Sequence, residues 1–269
     1  MLFTPSFVDG GDWLSTTPVY SITLLSVHLS HTVLVISAAL LFSIGVPVRA
    51  QPSDPHTVWL PLVANARASN PIHHGIATFY DATGGGACSF EASPDDLMVT
   101  AMNAEEYSAA NYCGAYLSVT GPGGAVTVRV VDLCPECRAG HLDLSAEAFA
   151  LIADPIDGRV NITWQLVSPE LAGSIIYHFK EGSNPWWTAV QVRNHRNPVA
   201  RLEVRGEGGE WVEVARTEYN YFVQTEPGMG SGPYTFRVTD IYGNILIDEG
   251  IAHVESGSVS GGAQFPPGP

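Results

Sequence analysis

A chain of 269 residues that is 45% apolar, 10% aromatic and only 14% charged can bury a core over one or two domains, so wholesale disorder is excluded. Charge is scarce but one-sided: 27 acids stand against 12 bases, net −15, and Lys180 is the only lysine. No cation cluster is available to hold phosphates, which excludes a nucleic-acid binder. The 27 glycines and 19 prolines favour short strands and turns over long helices.

No charged residue stands between Asp12 and Arg49. Inside that gap, Thr32 to Val46 (TVLVISAALLFSIGV) is an apolar run of secretory h-region length, and Val48-Arg49-Ala50 is a small-x-small cleavage site. Residues 1–50 therefore read as a signal peptide. The stretch before about Leu24 reads as a misassigned start, because no Lys or Arg supplies a basic n-region. An uncleaved anchor is the competing reading, although a run this short spans the ~30 Å hydrocarbon core poorly. Cleavage after Ala50 leaves 25 acids and 11 bases, net −14, on a secreted chain with no membrane attachment.

Export sets the cysteine reading. Cys88, Cys113, Cys134 and Cys137 are an even number, which in an exported protein means two disulfides out of three possible pairings. Cys134 and Cys137 are close enough to pair locally, leaving Cys88 with Cys113. Half a zinc site or a redox pair are the alternatives. The first lacks a matching second half, and the second lacks a βαβ context.

Residues 51–70 read as a tether rich in Pro, Ala and Asn. Residues 71–167 read as a first domain with strands at Gly75–Tyr80, Asp96–Ala101, Tyr116–Thr120, Ala125–Leu133 and Arg159–Val167. The turn Gly121-Pro122-Gly123-Gly124 joins the third and fourth. Val126, Val128 and Val130 form an apolar face. Ser145 is a candidate N-cap for a helix over Ala146–Ala153, which Asp154-Pro155 would end. Many short strands with little helix suggest a compact β-barrel. Residues 171–267 read as a second, all-β domain with evenly spaced strands at Ser174–Lys180, Thr188–Arg193, Ala200–Arg205, Trp211–Arg216, Tyr219–Gln224, Thr235–Asp240 and Ile245–Glu249, the pattern of a β-sandwich. Trp164 and Trp211, in alternating strands, read as core. Asn161-Ile162-Thr163 matches a glycosylation sequon but falls in a strand expected to be buried.

Two acids stand out. Asp132 ends an apolar strand, and Asp143 lies in His141-Leu142-Asp143-Leu144, where alternation puts His141 and Asp143 on one face. A carboxylate fixed at a strand end is placed to act as a general acid or to accept from a sugar hydroxyl. The plainer alternative is local capping by Asp143 where the helix starts at Ser145.

These segments resemble the expansins, in their microbial two-domain form, from about Gly75 to Pro266. The resemblance rests on Gly75-Ile76-Ala77-Thr78-Phe79-Tyr80, Gly85-Gly86-Ala87-Cys88, Val131-Asp132-Leu133-Cys134-Pro135-Glu136 and His141-Leu142-Asp143-Leu144-Ser145. In the second domain it rests on Lys180-Glu181-Gly182-Ser183, Trp186-Trp187, Gln191-Val192-Arg193-Asn194-His195, Tyr219-Asn220-Tyr221-Phe222-Val223 and Gln264-Phe265-Pro266. It implies a mainly β protein: a six-stranded double-psi β-barrel followed by an immunoglobulin-like β-sandwich. It further implies a non-hydrolytic, wall-loosening protein that binds cellulose, acts as a monomer, and needs neither cofactor nor metal.

By the resemblance, Thr78, Asp132 and Asp143 form the polar wall-loosening site. Trp186, Trp187 and Tyr219 form a flat platform for glucan, with Lys180 as a polar contact beside it. Expansins lack the second catalytic carboxylate that their inverting hydrolase relatives use as base. The runner-up is an enzyme on the same barrel, an endoglucanase or peptidoglycan lytic transglycosylase with Asp143 as acid/base. A third reading is adhesion by the second domain alone. Cys134 stands where microbial relatives carry a tyrosine. Net charge near −14 predicts repulsion from polyanionic pectic and teichoic acids and preference for neutral cellulose.

Overall fold

The structure, a computed structural model, describes residues 69–269. The signal-peptide reading of residues 1–50 and nearly all of the tether lie outside the described residues.

Six strands make the barrel: β1 His73–Tyr80, β2 Val99–Asn103, β3 Tyr116–Gly121, β4 Gly124–Cys134, β5 Leu142–Ser145 and β6 Val160–Val167. They close in the order β1-β5-β2-β4-β3-β6, with β1–β5 and β2–β4 parallel. Two one-turn helices, α1 Ala104–Tyr107 and α2 Ala146–Phe149, follow β2 and β5. Helix α2 is shorter than expected. The Ser145 hydroxyl does cap it, through Ala148 N at 3.1 Å. After Phe149, however, the carbonyl of Ile152 turns to accept Gly123 N from the β3–β4 turn. The inward faces fill the barrel with Val126, Val128, Val130, Leu117, Val119, Leu142, Leu144 and Ile162. Each such side chain, fully buried, contributes about 1.5–3 kcal/mol.

One irregularity governs the outer face. β2 pairs with β4 in parallel, Thr100 opposite Val130 but Ala101 opposite Asp132, so Val131 has no partner on β2. This is a β-bulge, which inserts one residue and re-aims those that follow. Strict alternation after Val130 would turn Asp132 inward. The bulge leaves it half-buried on the outer side of the sheet.

The second domain has eight strands: β7 Ile176–Phe179, β8 Thr188–Arg193, β9 Val199–Arg205, β10 Trp211–Arg216, β11 Phe222–Gln224, β12 Tyr234–Asp240, β13 Ile245–Ile251 and β14 Ser258–Ser260. Their order is β13-β12-β9-β10-β11-β8-β7-β14. Strand β10 pairs with β9 through Trp211–Val214 and with β11 through Ala215–Arg216, so it passes between two layers. Tyr177 of one layer packs on Phe236 of the other, ring centroids 4.9 Å apart, and Phe265 from the tail closes the same core.

One expectation holds and two change. Trp164 is core, stacked on His73 at 3.9 Å. Trp211 is not: it is half-buried and covered by the guanidinium of Arg237, 4.5 Å from its ring. Asn161 is exposed, because β6 turns it outward.

Barrel and second domain belong to one compact unit. The carbonyl of Cys88 accepts from Gln191 Nε2 at 2.8 Å and Asn220 Nδ2 at 3.3 Å. Arg193 grips Glu91 with two nitrogens, at 2.7 and 3.1 Å. Tyr107 Oη donates to Glu218 O at 3.0 Å. His195 is fully enclosed between Gly114 of the barrel, where any Cβ would lie 2.7 Å from its Nε2, and Asn197, whose carbonyl contacts Nδ1 at 2.9 Å.

Burial, and then the charge of Arg216, lower the pKa of His195 to about 4. The unfolded chain protonates this imidazole near 6.5, so its contribution is fully present above pH 6.5 and is lost as pH falls toward 4. The expected loss is about 3 kcal/mol of unfolding free energy over that window. Denaturant titrations at pH 7 and pH 4.5 measure it. A His195→Gln variant with the wild-type pH dependence would overturn the assignment.

Candidate functional site

The strand register builds the site. Thr78 of β1 stands opposite Asp143 of β5, Asp143 opposite Ala101 of β2, and Ala101 opposite Asp132 of β4. Residues directly opposite on neighbouring strands point to one side of a sheet. Thr78, Asp143, Ala101 and Asp132 therefore form one row across four strands. Two inter-strand spacings put the aspartate Cα atoms roughly 10 Å apart. The Ala101 methyl between them leaves the space open.

Each carboxylate is held. Asp132 Oδ1 accepts Ala87 N at 2.6 Å and Leu133 N at 2.8 Å. The glycine before Ala87 is required for this wrap, since a Cβ on Gly86 would lie 2.3 Å from the Asp132 carboxyl carbon. Asp143 Oδ1 accepts the hydroxyl of Thr78 in a short hydrogen bond. Helix capping falls to Ser145 alone. His141 Nε2 lies 3.0 Å from Thr78 Oγ1. Thr78 has one O–H and gives it to Asp143, so His141 donates from Nε2. The sequence places His141 and Asp143 on one face, and the structure joins them through Thr78.

Tyr80 was not singled out in the sequence. It lies two residues after Thr78 on β1, hence on the same side. Its buried hydroxyl has no hydrogen-bond partner. Burial, then the charges of Asp132 and Asp143, push its pKa well above the ordinary phenol value. The phenol therefore stays protonated. Alternation from Thr78 would have found it.

The aromatic residues lie on the second domain. Asn184 Oδ1 accepts the N–H groups of both Trp186 and Trp187 at 3.0 and 3.1 Å, and the Asn184–Trp187 backbone pairs across a tight turn. That turn suspends strand alternation. Trp186 is 68% exposed and Trp187 half-buried beside it. Beneath them, Gly230 N donates to Pro185 O at 3.0 Å, and a Cβ on Gly228 (φ +80°) would lie 2.1 Å from that carbonyl. Tyr219 is 40% exposed and precedes a left-handed Asn220. It stands on the β10–β11 turn, beyond the Phe222 end of β11, whereas Trp187 precedes Thr188 at the other end of the β8–β11 pair. Between them Lys180 Nζ sits 5.7 Å from the Tyr221 ring, which tilts against Tyr219 at 6.0 Å.

The row and the rings meet at residues 86–91. Ala87 N binds Asp132. The next carbonyl binds Gln191 and Asn220, the neighbour of Tyr219. Cys88–Cys113 and Cys134–Cys137 are disulfides. Among the described residues no three His, Cys, Asp or Glu side chains converge as a metal site.

Comparisons with known proteins agree with this architecture. Residues 72–164 match a double-psi β-barrel family model described as lytic transglycolase. Expansin-YoaJ of Bacillus subtilis (strain 168) is 40% identical over 210 residues, 74% of this chain and 89% of that protein. The crystal structure of the apo expansin of Clavibacter michiganensis is 37% identical, covers 73% of this chain and 99% of its own, and superposes with a TM-score of 0.68. A mutant of that expansin, solved in complex with cellohexaose, matches with the same figures. The chain belongs to the bacterial expansins.

Burial lowers the pKa of His141, the nearby Asp143 charge raises it, and Arg159 lowers it. The imidazole is expected to titrate below the ordinary 6.5 in an NMR pH series. Arg159→Gln should move the midpoint up and Asp143→Asn should move it down. Shifts of the opposite sign would sink this electrostatic assignment.

Proposed function

We propose that this chain is a secreted, non-hydrolytic expansin that binds cellulose through Trp186, Trp187 and Tyr219 and loosens wall contacts through Thr78, Asp132 and Asp143. The observation that carries the reading is the continuity of rings and polar row across residues 86–91. Flat exposed rings stack on the apolar faces of glucose units, and rings set at the two ends of the β8–β11 pair suit an extended, flat chain better than a single sugar. A glucan lying along it reaches carboxylates that accept hydroxyl hydrogen bonds otherwise made to a neighbouring glucan. Asp143 accepts from Thr78 and Asp132 from two backbone N–H groups, arrangements of acceptors rather than of an acid and a water-activating base. The cellohexaose complex of the Clavibacter michiganensis expansin supports the choice of ligand. The apolar run within residues 1–50 supports export.

A second reading is favoured by the lytic transglycolase description of the matching barrel family and by the second carboxylate roughly 10 Å across the row. In it, Asp143 is the acid/base of a glycan-cleaving enzyme.

One set of experiments separates them: depletion binding to microcrystalline cellulose, assay of released reducing ends and muropeptides, and extension of heat-inactivated plant wall strips under load. The expected result is binding and strip extension with no product above the Asp143→Asn level. Asp143→Asn should keep binding and lose extension. Soluble products that vanish in Asp143→Asn would make the chain an enzyme.

Trp186→Ala and Tyr219→Ala should each weaken cellulose binding about tenfold. Gly228→Ala replaces no ring, yet should weaken binding comparably, because its Cβ displaces the Pro185–Trp186 turn. Wild-type retention of all three variants on cellulose would remove the platform from the reading.

A further inference from the structure

At the end of the row away from the second domain, a cleft of about 550 Å³ opens beside β1, within the range of small-ligand sites. His141 is its wall toward Thr78. Arg138, Arg159 and Glu136 supply its charges. The chain is poor in bases, and most of those described are engaged. Arg129, Arg193, Arg201, Arg205 and Arg237 pair with carboxylates, and Arg196 and Arg216 donate to carbonyls. No ion pair or side-chain hydrogen bond among the described residues engages Arg138 or Arg159. Arg138 and Arg159, the two arginines among the described residues without such partners, line the same cleft.

The frame behind Arg138 is rigid. The Cys134–Cys137 disulfide ends one residue before it, and His141 N donates to its carbonyl at 2.9 Å. Gly140 is held on both sides, its N–H by Glu106 Oε2 at 2.9 Å and its carbonyl by Trp164 Nε1 at 2.9 Å. Arg159 is set by a tight turn in which its N–H donates to Asp157 O at 2.6 Å. With His141 neutral, the two arginines and Glu136 leave the cleft one net positive charge, a match for a single carboxylate held by charge-assisted hydrogen bonds.

We propose that this cleft binds the carboxylate of a uronic acid side group carried on an otherwise neutral wall polysaccharide, extending the glucan groove past His141. A continuous polyuronate is disfavoured, because the rest of the chain is strongly acidic and repels a long polyanion. The inference rests on the groove reading given under the proposed function.

The test is calorimetric binding of three oligosaccharides at fixed ionic strength: a xylo-oligosaccharide bearing one glucuronic acid, the same molecule with that carboxyl reduced to the alcohol, and neutral cellohexaose. The wild-type protein should bind the acid about tenfold more tightly than its reduced form. Arg138→Gln/Arg159→Gln, both changes on the surface, should bind acid and reduced forms alike and keep wild-type affinity for cellohexaose. A polygalacturonate of equal length should bind more weakly than the singly charged ligand.

Equal wild-type affinity for acid and reduced forms overturns the proposal, as does discrimination that survives in the double variant. Tighter binding of polygalacturonate overturns the single-charge match. Failure to bind cellohexaose in the wild type instead overturns the groove reading beneath it.

Discussion

Val131 has no partner on β2, and its carbonyl, freed from that ladder, accepts the N–H of Cys88 at 3.1 Å. The carbonyl of Cys88 then accepts from Gln191 and Asn220 of the second domain. One unpaired residue in a barrel strand thus does two things. It turns Asp132 outward into the row with Asp143 and Thr78, and it supplies the anchor from which the 86–91 segment reaches the second domain. A regular β4 would bury an aspartate in an apolar barrel, which costs far more than a bulge does. The Cys88–Cys113 disulfide fixes the segment at its midpoint from the barrel side.

The junction between the domains is mostly polar: carbonyls taken by Gln, Asn, Tyr and Arg side chains, one bidentate Arg193–Glu91 pair, and an enclosed His195. Such contacts add little net free energy each, but they are directional. Directionality is what a long, flat ligand demands. Under the cellulose-binding reading proposed above, a platform free to swivel against the barrel would hold a polysaccharide without presenting it to the carboxylates. Fixing Asn220 through Cys88 fixes Tyr219, its neighbour, relative to Asp132.

How much was legible in the sequence followed from how far each element kept its period. β4 and β8 are legible because each keeps a strand pattern along its length, β4 with alternating valines on one face and β8 buried on both faces from Thr188 to Val192. β5 was read only as a face-sharing segment. Its four residues are too few to announce a strand, and it owes its place to pairing on both sides with β1 and β2. β14, Ser-Val-Ser, carries no apolar pattern and exists because β7 offers it an edge. Tyr219 was assigned to a strand, but Asn220 adopts a left-handed conformation that ends the alternation and exposes the ring. The bulge at Val131 was invisible, since an inserted residue looks like any other member of an apolar run. Of the site residues, those to which the resemblance gives a role are legible; Tyr80 stands in the same motif without one, although alternation from Thr78 reaches it, and Arg138 is not legible, because its place arises from neighbours distant in sequence.

Cys134 bears on what this site can do. The resemblance places a tyrosine at that position, and here the residue is buried in a disulfide with Cys137 and offers nothing to a ligand. Loss of a phenol there need not leave the row without one. Tyr80 approaches from β1 rather than β4, its hydroxyl buried and without a hydrogen-bond partner, and burial first, then the charges of Asp132 and Asp143, keep its proton in place. A buried hydroxyl with no acceptor costs about 1–3 kcal/mol. The Cys134–Cys137 disulfide closes one residue before Arg138 and so stiffens the turn that carries it.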